Sequence, residues 1–340
     1  MITIKDVARV AGVSPSTVSR VVRGEGKVGK VCRAKVQKVI DELGYRPNIN
    51  AQALVNQKSN TLGVIMPNVS MSFFGALACG AEQAAKEQNY RVVISNAFGS
   101  EKAEMEAIDS LMQHRCDAIV MHSAHASDEV LCKLADKIPG LVFINRFIPQ
   151  IPNRCVWLDN NLGAQEAARY ILSKGHIDIA VITREVMNSD AKLRFEGIKT
   201  ALNSAGVSLN ETNVGRRDAD MAGGRAAVRE LISNGVKFSA VLVYNDNMAI
   251  GVIHELHACG IQVPQDVSVI GFDDLLISVA CLPQLTTMHY PVEEMASYAA
   301  KLAIELSENS ISSGRTHLFM PHLVERGSVI EATAIETEIG

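Results

Sequence analysis

Pro15, Ser16, Ser19 and Arg20 place a rigid helix start, two hydroxyls and a guanidinium within six positions near the start of the chain. Hydroxyls donate and accept hydrogen bonds, and the planar guanidinium fork matches the paired acceptors on a guanine edge. The chemistry on offer is the reading of base edges in a DNA major groove, with no bond made or broken. It requires these side chains at the exposed, N-terminal end of a helix. The flanking sequence TIKDVARVAGVSPSTVSRVV predicts that placement. Thr3 caps a first helix with Asp6 three residues on, and Val7, Ala8, Val10 and Ala11 form its apolar side. Gly12 makes the corner, Ser14 caps a second helix running to about Val22, and Pro15 takes its first position. Val7, Val13, Val18 and Val21 pack between the two. The pattern is a helix-turn-helix, and any helical hairpin is its ordinary alternative.

Charge argues for the DNA-binding kind. Residues 1–58 hold 11 Lys/Arg against 4 Asp/Glu, a net of +7, while the remainder holds 22 against 33, a net of −11. A basic head on an acidic body implies a polyanionic partner for the head, with affinity that falls as salt rises.

Enzyme chemistry finds little support. There is no G-x-S-x-G elbow, no H-E-x-x-H pair and no Walker A loop. Gly24, Gly26 and Gly29 match the spacing of a dinucleotide fingerprint, but a helix precedes them where a strand is required, so they read as a loop. Seven scattered cysteines form neither a metal clip nor a disulfide framework and are expected to be reduced and mostly buried. The histidines show no metal spacing, and His176 reads as a brace for the loop before a strand. Neither a cofactor nor a metal is expected. The start MITIKDVARV lacks a signal-peptide pattern, and no apolar run approaches the roughly 18–20 residues of a membrane span. A soluble, cytoplasmic protein is expected.

At 340 residues and 47% hydrophobic content the chain has ample core for several domains. A third helix carries Cys32, Val36, Val39, Ile40 and Leu43 and ends at Gly44. The polar segment Asn48–Lys58 reads either as a linker or as one marginal helix, the second favoured by its lone apolar Leu54. From Thr61 the pattern changes. TLGVIM, RVVISN, AIVMHS and GLVFIN read as buried parallel strands, with helices at Phe74–Gln88, Glu101–Gln113 and Ser127–Lys137. IAVIT, AVLVYN and VSVIGF repeat the rhythm, with helices at Ala191–Ala205, Gly223–Ser233 and Asn247–Ala258. Two β/α series imply two doubly wound lobes, and ligands of such folds sit at the carboxyl ends of the strands.

The head, DVARVAGVSPSTVSRVV then GYRPN, resembles the signature of the lac repressor/galactose repressor family of bacterial transcription factors. GHIDIAVI, LRFEG, YNDNMAIG, VPQDVSVIGFDD and LPQLTTM follow in the family's order, so the resemblance covers essentially the whole chain. HRCDAIVMHS and VFINRFIPQIPNRC are most similar to the family's galactose-repressor branch.

The resemblance implies an α-helical helix-turn-helix headpiece over 1–46, a hinge helix over 47–58 and a two-lobed α/β core of periplasmic-binding-protein type over 59–340. The N-lobe would span about 60–159 and 291–320, and the C-lobe about 160–290 and 321–340. A homodimer on a palindromic DNA operator is implied, and the chain shows no C-terminal leucine heptads of the tetrameric kind. Leu54 matches the leucine that the family wedges into the minor groove. The DNA-facing set becomes Thr3, Pro15, Ser16, Thr17, Ser19, Arg20, Asn48, Ala51 and Leu54. Gly29 departs from the Ser or Thr cap common in the family, which weakens the start of the third helix.

For the effector, the resemblance implies a small sugar between the lobes, with D-galactose as first candidate inducer of a repressor. Sugars are held by planar bidentate groups on neighbouring hydroxyls and by aromatic faces. At the matching positions stand Arg194, Asn245 and Asp273, with Phe73 and Phe74 as walls and Asn145, Arg146, Asp159 and Asp190 around them. Each has an ordinary alternative: an Asp after a strand is often a helix cap, and a lone helical Arg is usually solvated. A sugar receptor or sugar-processing enzyme without transcriptional role is the competing reading, and it leaves the basic head unused.

Overall fold

The computed structural model describes residues 2–24, 26, 28–46, 58–308 and 317–332, and the chain divides into two compact units, 1–59 and 60–340. In the first unit α1 (Ile4–Ala11), α2 (Pro15–Arg23) and α3 (Lys30–Leu43) enclose Val7, Ala8, Ala11, Val18, Val21, Val36 and Val39. Both directions of the capping box close: the Thr3 amide donates to Asp6 Oδ2 at 3.0 Å and the Asp6 amide to Thr3 Oγ1 at 3.4 Å. Gly12 takes φ +67, a left-handed corner that side chains resist, and its N–H closes α1. Ser14 Oγ accepts from the Thr17 amide at 3.1 Å, with Pro15 at the first helical position. Gly29 precedes α3 with no side-chain cap. Val10 departs from expectation and is 53% exposed. The stripe of Val7, Ala8 and Ala11 fixes the buried direction, and Val10 lies about a quarter turn off it. The expected hinge helix, with Asn48, Ala51 and Leu54, lies outside the described residues apart from Lys58.

The second unit holds two six-stranded sheets. The first contains β1 (Thr61–Met66), β2 (Arg91–Asn96), β3 (Ala118–Met121), β4 (Leu141–Ile144), β5 (Cys155–Leu158) and β11 (His317–Phe319), in the order β11-β5-β4-β3-β1-β2. The second contains β6 (Ile179–Arg184), β7 (Val214–Arg217), β8 (Ala240–Val243), β9 (Ser268–Asp273), β10 (Thr286–His289) and β12 (His322–Val324), in the order β12-β10-β9-β8-β6-β7. Among the described residues all pairings are parallel except β10 with β12. Helices α4 (Ser72–Glu87), α5 (Glu101–Gln113), α6 (Asp128–Lys137) and α12 (Val292–Ser307) cover the first sheet. The second has α7 (Asn160–Ser173), α8 (Ser189–Ser204), α9 (Met221–Ser233), α10 (Asp246–Ala258) and the short α11 (Leu276–Ala280). Because helices cover both faces, β1, β3, β4, β8 and β9 are buried along their whole length.

The chain passes between the sheets after β5, after β10 and between β11 and β12. Helices α9 and α10 pack backbone to backbone at reciprocal glycines: a Cβ on Gly224 would fall on the Met248 carbonyl, and one on Gly251 on that of Met221. Among the cysteines only Cys116 and Cys155 are buried; Cys79 and Cys259 are exposed and the other three half-buried. The expectation of mostly buried thiols therefore fails, because small residues on outward helix faces meet water whatever their apolarity. No described helix is long and apolar enough to cross a membrane.

Candidate functional site

The headpiece presents α2 as designed by its caps. Pro15, Ser16 and Arg20 are exposed, Thr17 and Ser19 half-buried, and Thr3 stands exposed at the start of α1. All four of these hydroxyls are engaged locally: Ser14 Oγ lies 2.7 Å from Ser16 Oγ and 2.9 Å from Thr17 Oγ1, Arg23 donates to Ser19 Oγ at 2.7 Å, and Thr3 Oγ1 donates to Asp6 Oδ2 at 2.7 Å. Arg20 stands exposed on α2, outside these hydroxyl contacts. Arg23, one turn further, was not singled out from the sequence, although the i, i+4 spacing from Ser19 could have found it. No acidic residue lies in the first turn of α2, which leaves the helix N-terminus open to a phosphate.

In the second unit a cavity of about 330 Å³ opens between the two sheets at the carboxyl ends of their strands. Phe73, Phe74, Asn145, Asp190, Arg194, Asn245 and Asp273 line it, and so do His122, His125, Arg184 and Tyr244. The strand-end rule reaches most of the second group, since His122, Arg184 and Tyr244 end or directly follow β3, β6 and β8.

Arg194 is the centre of the cavity's second-sheet wall. Although 5% exposed, it donates from Nε to Asn160 Oδ1 at 2.8 Å and from Nη1 to the Tyr244 carbonyl at 2.7 Å and Asp273 Oδ1 at 3.2 Å. Its guanidinium lies 3.7 Å from the Phe272 ring centre and 4.9 Å from that of Tyr244. The Tyr244 hydroxyl in turn donates to Asp190 Oδ2 at 2.8 Å. Across the cavity Phe73 meets Phe74 and Tyr290 edge-on at 5.3 and 5.0 Å. Tyr290, just after β10, donates to Asn145 Oδ1 at 2.7 Å and so ties a crossover to the first-sheet wall. Asn145 and Asp273 take φ of +58 and +118, backbone positions costly for side-chain-bearing residues and held by the surrounding network.

The loop after β3 is anchored by a buried carboxylate. Glu104 accepts from Ser123 Oγ at 2.7 Å and from the amides of Ala124, His125 and Ala126 at 2.8, 3.0 and 3.1 Å. Burial holds the neighbouring His122 below the usual imidazole value.

Two residues expected in the cleft point elsewhere. Arg146 turns to Asp128 Oδ1 at 2.6 Å, and Asp159 caps α7 by accepting from the Leu162 amide at 2.9 Å. Neither lines the cavity. Asn245 does line it, but its Oδ1 caps α10 through the Met248 amide at 2.9 Å and its Nδ2 donates to the Ala219 carbonyl at 3.2 Å.

Burial pushes the Asp273 carboxyl up to about 7, against the opposing pull of Arg194, and raises Asp246 in the same direction. A folded value above the unfolded one means the folded state holds the proton longer. The stability from this group is full below about 3.8 and is lost as pH rises to about 7. The melting temperature of the parent relative to Asp273→Asn should therefore decline between pH 4 and pH 8. A constant difference across that range would show that Asp273 titrates normally.

Residues 3–48 match the model of the lacI family of bacterial regulatory proteins, and residues 168–329 that of the periplasmic binding protein-like domain. The HTH-type transcriptional regulator GalS of Salmonella typhimurium is 43% identical over 329 residues, 97% of each chain. The regulator GalR of Escherichia coli is 41% identical over 329 residues, 97% of this chain and 96% of that one. A crystal structure of the lac repressor dimer bound to operator and the anti-inducer ONPF superposes with TM-score 0.88 at 25% identity, covering 97% of this chain and 99% of that one. With its capped helix-turn-helix head and two-sheet core, this chain belongs to the lacI family of bacterial regulatory proteins.

Proposed function

We propose that the protein is a homodimeric transcriptional repressor, not an enzyme, whose hold on a palindromic DNA operator is released by a galactose-like sugar in the cleft. The observation that carries the sugar reading is the cavity wall itself, where the Arg194 guanidinium and the Asp190 and Asp273 carboxylates share the lining with an edge-on pair of phenylalanines. Planar charged groups suit vicinal hydroxyls, and aromatic faces suit the apolar side of a pyranose. The kinship with GalS and GalR supports D-galactose as the first sugar to try. Thr3 and the α2 residues contact DNA in this reading, and Asn48, Ala51 and Leu54 extend the contact into the minor groove.

The sugar acts by preferring the DNA-free state. A hundredfold preference per site corresponds to roughly 2.7 kcal/mol, and twice that for two sugars on a dimer, enough to empty most operators. The test is operator binding by fluorescence anisotropy with and without millimolar D-galactose. Sugar that strengthens operator binding, or a panel of sugars with no effect, would overturn the inducer model.

Arg20→Ala should cost roughly 1–3 kcal/mol on the preferred operator and little on random DNA, because a base contact carries sequence information and a phosphate contact does not. Equal losses on both would reassign Arg20 to the backbone.

A further inference from the structure

Arg184, the last residue of β6, faces the cleft half-buried at the carboxyl end of its strand. Among the described arginines of the second unit it alone makes no hydrogen bond or ion pair. Its guanidinium rests 5.9 Å from the centre of the Tyr244 ring. The two carboxylates that line the cavity are already engaged, Asp190 by the Tyr244 hydroxyl and Asp273 by Arg194. Gly99, Val186 and Ala124 supply surfaces without counter-charge.

A guanidinium lining a cavity with largely apolar walls loses water when a ligand fills the space, and a neutral ligand returns hydrogen bonds but no counter-charge. An anionic ligand adds the attraction of opposite charges and can accept from the planar fork in bidentate geometry. We propose that the effector is an acidic sugar, a hexose bearing one carboxylate or phosphate group, and that Arg184 receives that group. The inference rests on the reading of the cleft as a sugar site and narrows the class of sugar. Arg194 and Asp273 then hold the hydroxyls of the ring while Arg184 selects the substituent.

The test is calorimetric titration of the full-length protein with D-galactose, D-galacturonate and D-galactose 1-phosphate, at low and at high salt. We expect one of the acidic sugars to bind at least tenfold tighter than D-galactose, the better one identifying the group as carboxylate or phosphate. The preference should shrink in high salt and collapse toward one in Arg184→Gln, while Arg184→Lys retains part of it. D-galactose binding as tightly as both acids, or a preference that survives Arg184→Gln, would overturn the assignment and leave the sugar site standing. Failure of all three sugars to bind would remove the sugar site and this assignment together.

Discussion

Arg194→Ala should lower folding stability by about 3–5 kcal/mol and leave the cleft unable to answer a sugar. The size follows from what the side chain holds. Its loss strands the Asp273 carboxylate, the Asn160 carboxamide and the Tyr244 carbonyl, all in a wall from which water is excluded. It also removes the planar group stacked on Phe272. Because both charged partners are buried, solvent screening gives little relief. Urea unfolding at pH 8, where Asp273 is ionised, reads the stability. Adding Asp273→Asn should restore part of the loss, since the stranded charge then disappears. Operator affinity without sugar should stay within a few fold, and millimolar sugar should no longer release the DNA. A stability change under about 1 kcal/mol would show that water reaches the pair.

Gly251→Ala should destabilise by about 1–3 kcal/mol, the reverse of the gain that this change ordinarily gives inside a helix. In α10 the added methyl group has no room, because the Met221 carbonyl of α9 lies where it would be built. The helices must part, and α10 carries Asn245 at its cap and Asn247 beside the cavity. We therefore expect a weakened sugar response alongside the lowered urea midpoint. Unchanged stability would mean that the helix pair shifts freely. At exposed Gly29, with no atom near its missing Cβ and no side-chain cap to lose, the same replacement should be far milder.

The headpiece was legible because its signals are local: Thr3, Asp6, Gly12, Ser14 and Pro15 fix two helices within fifteen residues whatever the rest of the chain does. The buried strands were legible for a similar reason, being short apolar runs between helices. Helices α8, α9 and α10 start one or two residues before the sequence suggested, since polar caps Asn188, Asp220 and Asn245 set the start and apolar periodicity does not. Strand β7, Val-Gly-Arg-Arg, escapes any hydrophobic pattern because it lies at a sheet edge. The three-residue strands β11 and β12 exist only through the edges they complete. In the cleft, the family resemblance pointed to Arg194 and Asp273 where residue type alone suggested a solvated helical Arg and a capping Asp, and side-chain direction decided the others. Arg146 follows a strand as Asn145 does, yet points to Asp128 while Asn145 lines the cavity.

The passage from β11 to β12 bears on how the protein is made. His317–Phe319 completes the edge of the first sheet beside β5, and only Met320 and Pro321 separate it from the strand that completes the second beside β10. Helix α12, which packs on α4, β3 and β4, is likewise encoded after nearly all of the second sheet. A chain emerging from the ribosome therefore cannot finish its first lobe and then begin its second. The first stays open at an edge until residue 319 clears the exit tunnel and the second until residue 324, whereas the headpiece, encoded within the first 46 residues, can close long before. Premature termination before the last two strands would thus release a head able to fold on a body with two unsealed sheet edges, a species prone to aggregate and to be cleared before it can occupy an operator.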